Sequence, residues 1–155
     1  DNMARYGGNM LPFGETYKSE NSPVFHYPYV ETRATLDQVS KSGDIDARHG
    51  YKLEYINPTN GGPVMPTVAT YMQKLPNGFA GDDYQTTAAW VYHCVEGSGR
   101  THIGDETIEW KARDTFVVPA WYKHRHEADA DSFLFSFTDA PVHQKLGLFR
   151  DNMSG

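Results

Sequence analysis

The chain has a single cysteine, Cys94, so no internal disulfide can form. That usage fits a reducing compartment, and a cytoplasmic location is expected. No run of about 18 apolar residues occurs, and no charged-then-apolar leader opens the chain. Neither a membrane span nor a secretory signal is therefore expected. Basic residues are in deficit, 14 Lys and Arg against 20 Asp and Glu, a formal net charge of −6. Nucleic acid is a poor partner for such a chain, because phosphate binding needs clustered Lys and Arg. The G-x-S-x-G elbow, the P-loop, the dinucleotide-binding glycine pattern and C-x-x-C are all missing. Nucleophilic, phosphoryl-transfer and dinucleotide chemistries lose their support with them.

What is present is aromatic and β-rich. Length permits one domain with a core of its own. The chain starts at Asp1 rather than Met, which reads as a fragment or a processed product. Residues 1–29 interleave Gly7-Gly8, Pro12, Gly14, Pro23 and Pro28 with Leu11, Phe13, Tyr17, Val24, Phe25, Tyr27 and Tyr29. A disordered linker would not carry so many aromatics, so an ordered, extended arm is expected, one that promotes self-association. Residues 30–41 suit a short helix that starts after Pro28 and stops before Gly43, with Val30, Ala34, Leu36 and Val39 as its apolar face. Strand-like runs follow at 51–56, 67–74, 88–96, 100–103, 107–110, 115–118, 124–128 and 132–138. Gly, Asn and Asp turns separate them, a pattern that argues a sandwich or barrel. The expected division is an arm and helix over 1–50, a barrel over 51–150 and a tail over 151–155.

One spacing is specific. Gly78 is followed by five residues, then Tyr84-Gln85-Thr86, three residues, Trp90, six residues and Gly97. Further on stands Pro119-Ala120-Trp121-Tyr122-Lys123-His124. These resemble the two cupin signatures, with Tyr84 and Thr86 at the positions of a His-x-His pair, Trp90 at a glutamate and His124 at the last histidine. Non-haem Fe(II) needs two His and a carboxylate with open positions, and the first three positions supply none of these. In a regular strand Tyr84, Thr86, Ala88, Trp90, Tyr92 and Cys94 share one face, the one lining a cupin barrel. Tyr84, Thr86, Trp90 and His124 are thus read as degenerate metal-site positions, and Trp90 as a filler of volume. His124 and His126 share a face and are the weak candidates for a metal. A histidine bonded to Tyr or backbone is the preferred reading of His124, and no residue is assigned a catalytic role. His26, His49 and His143 receive no role. Arg113, where the pattern has glycine, is expected in a turn ion pair. Arg100 and Arg125 are candidate carboxylate clamps by their guanidinium geometry, though nothing in the spacing selects them, and the acidic run Glu127, Asp129 and Asp131 reads as a solvated turn. Cys94 reads as a small core residue.

Beyond this frame, Asn57-Pro58, Gly61-Gly62, Val95-Glu96-Gly97-Ser98-Gly99, Ile103-Gly104-Asp105, Phe116-Val117-Val118-Pro119-Ala120-Trp121, His126-Glu127-Ala128 and Leu146-Gly147-Leu148-Phe149-Arg150 resemble the second cupin of the gentisate 1,2-dioxygenase family. The resemblance runs over almost the whole chain, with Asn9–Pro12 and Ser22–Tyr29 similar to the connector between two cupins. It implies an all-β fold: a cupin double-stranded β-helix, or jelly-roll barrel, with an extended arm and one short helix. It implies that Fe(II) belongs to the first cupin of a parent enzyme that opens an aromatic ring next to a carboxylate with O2. This chain would hold no cofactor. Its partners would be that N-terminal catalytic cupin and further copies of itself, with an aromatic carboxylate as the parent's substrate. Two other classes stay open: a single-domain cupin metalloenzyme using His124, and a metal-free small-molecule-binding cupin.

Overall fold

The protein is described from a computed structural model over residues 21–152. The expected arm therefore lies mostly outside the described residues. Its end, 21–28, runs over the loop that contains Asn57 and Gly62. Ser22 N donates to Val64 O, and Tyr27 donates to Ile56 O while its ring meets Tyr55 edge-on at 5.3 Å.

Helix α1 spans Tyr29–Ser42. Eight strands follow: β1 Tyr51–Glu54, β2 Ala69–Leu75, β3 Trp90–Glu96, β4 Ser98–Ile103, β5 Glu106–Lys111, β6 Thr115–Val118, β7 His124–Ala128 and β8 Ser132–Thr138. A second helix, α2, spans Ala140–Lys145. The strands form two antiparallel sheets, ordered β1-β2-β8-β3-β6 and β5-β4-β7. All but β2, β3 and β4 begin within a residue of expectation, β1 ends two residues early, and β6, β7 and β8 match end to end. Helix α2 is additional to the expected single helix.

Tyr84 to Cys94 do not form one continuous strand. The chain from Ala80 to Tyr84 runs beside β7, with Ala80 opposite Glu127 and Tyr84 opposite His124. It then bends where Thr86 Oγ1 takes Ala88 N, and joins the other sheet only at Trp90. All six side chains on the expected face are nonetheless buried. Tyr84, Trp90, Tyr92 and Cys94 enter one core with Leu75, Ile103, Trp110, Phe116, Val118, Ala128 and Leu134.

The apolar face expected of α1 is narrower in the structure. Val30 is 78% exposed, and Leu36 alone is fully buried, against Met72 and Phe133 on the outer face of the larger sheet. Polar contacts complete the attachment. Arg33 bonds Glu96 and Asp37, Lys74 Nζ bonds Asp37 at 2.8 Å, and Tyr29 donates to Glu96 at 2.7 Å. The Lys74 hydrogen bond holds the Asp37 carboxyl below the usual carboxylate range.

The signature glycines Gly78 and Gly97 both have positive φ. At Gly97 a Cβ would collide with Ser132, where the turn from β3 to β4 closes on β8. Among the described residues two non-glycines have positive φ, Arg113 (80°) and Trp121 (64°). Both stand where the cupin patterns carry glycine, so the fold keeps a glycine backbone at each and imposes it on a larger residue. The expected ion pair at Arg113 is not formed among the described residues. Its backbone N bonds Cys94 O instead. Left-handed φ costs an L-residue about 1 kcal/mol, so Arg113→Gly should raise stability by roughly that amount in urea unfolding. A loss of similar size would show that the Arg113 side chain contributes more than its backbone costs.

Candidate functional site

The barrel interior is built on a stack of four rings. Trp90 and Tyr92 of β3 lie nearly parallel at 6.0 Å, Tyr92 and Phe116 at 5.3 Å, and Phe116 and Trp110 at 6.5 Å. All four are buried. Such offset stacks are worth about 0.5–1.5 kcal/mol per pair beyond area burial. Tyr84 closes on the Trp90 end with an edge contact at 6.4 Å.

His124 and His126 project from β7 toward this stack, as the alternation of a strand requires. Their ring centroids are 5.4 Å apart. His124 Nδ1 faces the Tyr122 carbonyl at 3.4 Å, and Nε2 faces the Tyr92 hydroxyl at 3.3 Å. A carbonyl only accepts, so Nδ1 carries the proton and Nε2 accepts from Tyr92. Desolvation lowers the His124 pKa to about 4, which keeps it neutral at ordinary pH. Desolvation also raises the Tyr92 phenol above its normal value.

His126 is bound differently. Its Nδ1 is 2.8 Å from Thr101 Oγ1, which also accepts from Trp110 Nε1 at 2.9 Å. The Thr101 hydroxyl proton has only His126 Nδ1 as acceptor among the described residues, so His126 carries its proton on Nε2. That nitrogen is buried with no partner. Burial, then the neighbouring His124 and Lys52, holds His126 well below its usual pKa.

Two members of the cluster were not visible in the spacing. His49, given no role from sequence, packs its ring edge-on to Tyr84 at 4.5 Å. The loop that carries it is tied by Asp46, whose Oδ1 accepts from Arg48 N and His49 N at 2.8 Å each. Desolvation and Lys52 lower its pKa to about 3. Lys52 of β1 places Nζ 4.1 Å from the Trp90 ring centroid and 4.8 Å from that of Tyr71. Its side chain keeps some accessible surface, but barrel atoms surround its head, and desolvation pulls its pKa down to about 7. The aromatic faces work in the other direction, since they favour the cation.

Among the described residues no group of three or more His, Cys, Asp or Glu is placed to hold a metal ion. Thr86 Oγ1 is engaged by Ala88 and Tyr84 is packed between rings, so neither stands free as a donor. The donor set does not fit an Fe(II) centre. The remaining candidates lie elsewhere. Arg100 pairs with Glu127 and Asp129, and Arg125 approaches Glu127, so clamps and acidic run neutralise one another. Asp131 accepts from Asn77 N. Cys94 is buried, its thiol pushed up to about 11 by desolvation.

Known proteins share this chain and this barrel. It is 46% identical to a gentisate 1,2-dioxygenase of Aquipseudomonas alcaligenes, over 98% of this chain and 44% of that protein. It is 37% identical to the 5-aminosalicylate 1,2-dioxygenase of a Comamonas species, over 93% of this chain and 39% of the relative. The chain belongs to the gentisate 1,2-dioxygenase family. A crystal structure of salicylate 1,2-dioxygenase from Pseudoaminobacter salicylatoxidans, with gentisate adducts, superposes with a TM-score of 0.80 at 25% identity, over 97% of this chain and 43% of that one. The chain thus spans less than half the length of these members of its family. No family model matches it. Among the described residues no helix is long and apolar enough to cross a membrane.

The ring stack makes a direct demand on Trp90. Trp90→Ala should cost about 3–5 kcal/mol, as large aromatic-to-alanine core changes do, measured by urea unfolding. A cost under about 1 kcal/mol would mean that the barrel closes without the stack.

Proposed function

We propose that this chain is the C-terminal, metal-free cupin of a gentisate-1,2-dioxygenase-like enzyme, and that its own task is structural. It buttresses a catalytic cupin that carries Fe(II), and it helps to build the oligomer. The observation that carries the reading is the engagement of His124. Both of its nitrogens are taken up inside the protein, by Tyr92 and Tyr122, while Trp90 and Tyr92 fill the space beside it. On this reading Tyr84, Thr86, Trp90 and His124 are a degenerate metal site, and ring cleavage is done by residues of the other cupin. The division of the chain into an arm and helix, a barrel and a tail belongs to the same reading.

The relatives are named for gentisate, for 5-aminosalicylate and for 1-hydroxy-2-naphthoate. The parent's substrate is accordingly an aromatic carboxylate. The oligomeric role rests on apolar surface. Val91 of β3 sits between Val117 and Phe137 in register, and those two neighbours are 52% and 42% exposed. Contiguous outward apolar side chains of this kind mark association surfaces. A single-domain metalloenzyme using His124 is disfavoured, because a metal would have to displace the Tyr92 hydrogen bond and would find no ligand cluster among the described residues.

The chain alone should retain no stoichiometric iron after purification without chelator, and should consume no O2 with gentisate or salicylate. Metal analysis and an oxygen electrode decide it. Iron near one equivalent per chain, lost in a folded His124→Ala variant, would overturn the structural reading.

A further inference from the structure

A sheet edge is a row of free N–H and C=O groups, and folded proteins ordinarily guard it with charged side chains or with cover. Each of the two sheets has two edges. β7 is covered by the chain that runs beside it: Gly81 N donates to His126 O, and Tyr84 and His124 exchange both backbone bonds. β1 carries Lys52 and Glu54. β5 carries Glu106, Glu109 and Lys111. β6 reads Thr115-Phe116-Val117-Val118, has no charged residue, and pairs with β3 alone among the described residues. Thr115 and Val117 are exposed. An open groove of about 420 Å3, lined by Val117 and by Ile108 of β5 among others, lies beside this edge.

The ladder fixes which groups point outward. Cys94 N donates to Asp114 O, and Arg113 N donates to Cys94 O. Bonded and non-bonded pairs alternate along an antiparallel ladder. The next bonded positions are therefore Phe116 opposite Tyr92 and Val118 opposite Trp90. The N–H and C=O groups of Thr115 and Val117 point away from β3, and they have no backbone partner among the described residues. Two donors and two acceptors, spaced two residues apart, are complementary to a second copy of themselves run antiparallel. The strand ends select the register. A two-fold axis at Thr115 would set Val117 against the left-handed Arg113, and one at Val117 would set Thr115 against Pro119, which has no N–H. An axis at Phe116 sets Thr115 against Val117 twice and uses every free group.

We propose that β6 is the edge through which two copies of this chain pair, antiparallel about a two-fold axis at Phe116, so that their five-stranded sheets join into one. This pairing rests on the oligomeric role proposed above and gives it a defined contact. Thr115 exchanges both backbone bonds with the partner's Val117, and Val117 with the partner's Thr115, about four hydrogen bonds in all. Residues directly opposite share a face. The outward row Phe137, Val91 and Val117 is thereby continued across the axis by the partner's Thr115. Closed two-fold pairing is also the commonest arrangement of identical chains.

Light scattering and amide hydrogen exchange of the full chain, each over a dilution series, test it. A dimer with a Kd of about 0.1 mM or tighter is expected. The Thr115 and Val117 amides should exchange about tenfold or more slowly in the dimer than in the diluted monomer. Val117→Lys puts a charge on the edge, as natural sheets do to prevent pairing, and should shift the mass to monomer. Val117 is half exposed, so the fold should tolerate the change, and circular dichroism establishes that it does. If that variant does not fold, Thr115→Lys is read in its place. Self-association that leaves both amides in fast exchange, or that survives the lysine variant, refutes the edge pairing and leaves the oligomeric role standing. Protection that does not change on dilution also refutes it, because another segment of the same chain would then occupy the edge. A monomer throughout refutes the pairing and the oligomeric role together, while iron content and O2 uptake test the metal-free reading separately.

Discussion

The stack of Trp90, Tyr92, Phe116 and Trp110 is the constraint on which the rest of the barrel depends. Trp90 and Tyr92 come from the five-stranded sheet, and Trp110 from the three-stranded one. The rings thus tie the two sheets together through the space between them. The polar groups of the interior are arranged around these rings. Tyr92 positions His124 through its hydroxyl, Trp110 positions His126 through Thr101, and Trp90 receives the Lys52 ammonium on its face. Interiors are packed as densely as organic crystals. A metal with its ligands and open positions could enter this one only by displacing rings.

Family membership and the proposed loss of metal binding are parts of one account. The cupin frame persists in its backbone, to the point that Arg113 and Trp121 hold the left-handed conformation of pattern glycines. The interior chemistry has changed. Where a metal-binding cupin would hold an ion, this barrel places Lys52, its head over aromatic faces and its pKa lowered by burial to about 7, with Asp46 and Glu54 favouring the charge. The three histidines near it are driven neutral by desolvation, which also spares the barrel repulsion with that ammonium.

Much of the fold was legible because its strands are half-buried and alternate, with Gly and Asp turns between them. β7 and β8 are the clearest cases: His124, His126 and Ala128, like Leu134 and Ser136, are buried on one face. Trp90 was legible as a volume filler from its place in the signature. Lys52 was not. In Tyr51-Lys52-Leu53-Glu54 the alternation reads Lys52 as the solvent side. Helix α1 covers the Tyr51 and Leu53 face, so the opposite face, with Lys52, turns to the barrel. His49 reaches the cluster through a loop closed by Asp46 and Gly50, a contact that no periodicity reports. Helix α2 did leave a signal, Asp139 before Pro141 and Gly147 after its end, but six residues are too few to show a helical period.

Nitrogen-15 NMR of the histidine side chains during titration with Zn2+ tests the central claim, that His124 is engaged inside this barrel and takes no metal. The account predicts His124 as the neutral Nδ1–H tautomer, bonded to Tyr92 at Nε2, with its signals unmoved at one equivalent of zinc. A joint shift of the His124 and His126 Nε2 signals that saturates at one equivalent would contradict it.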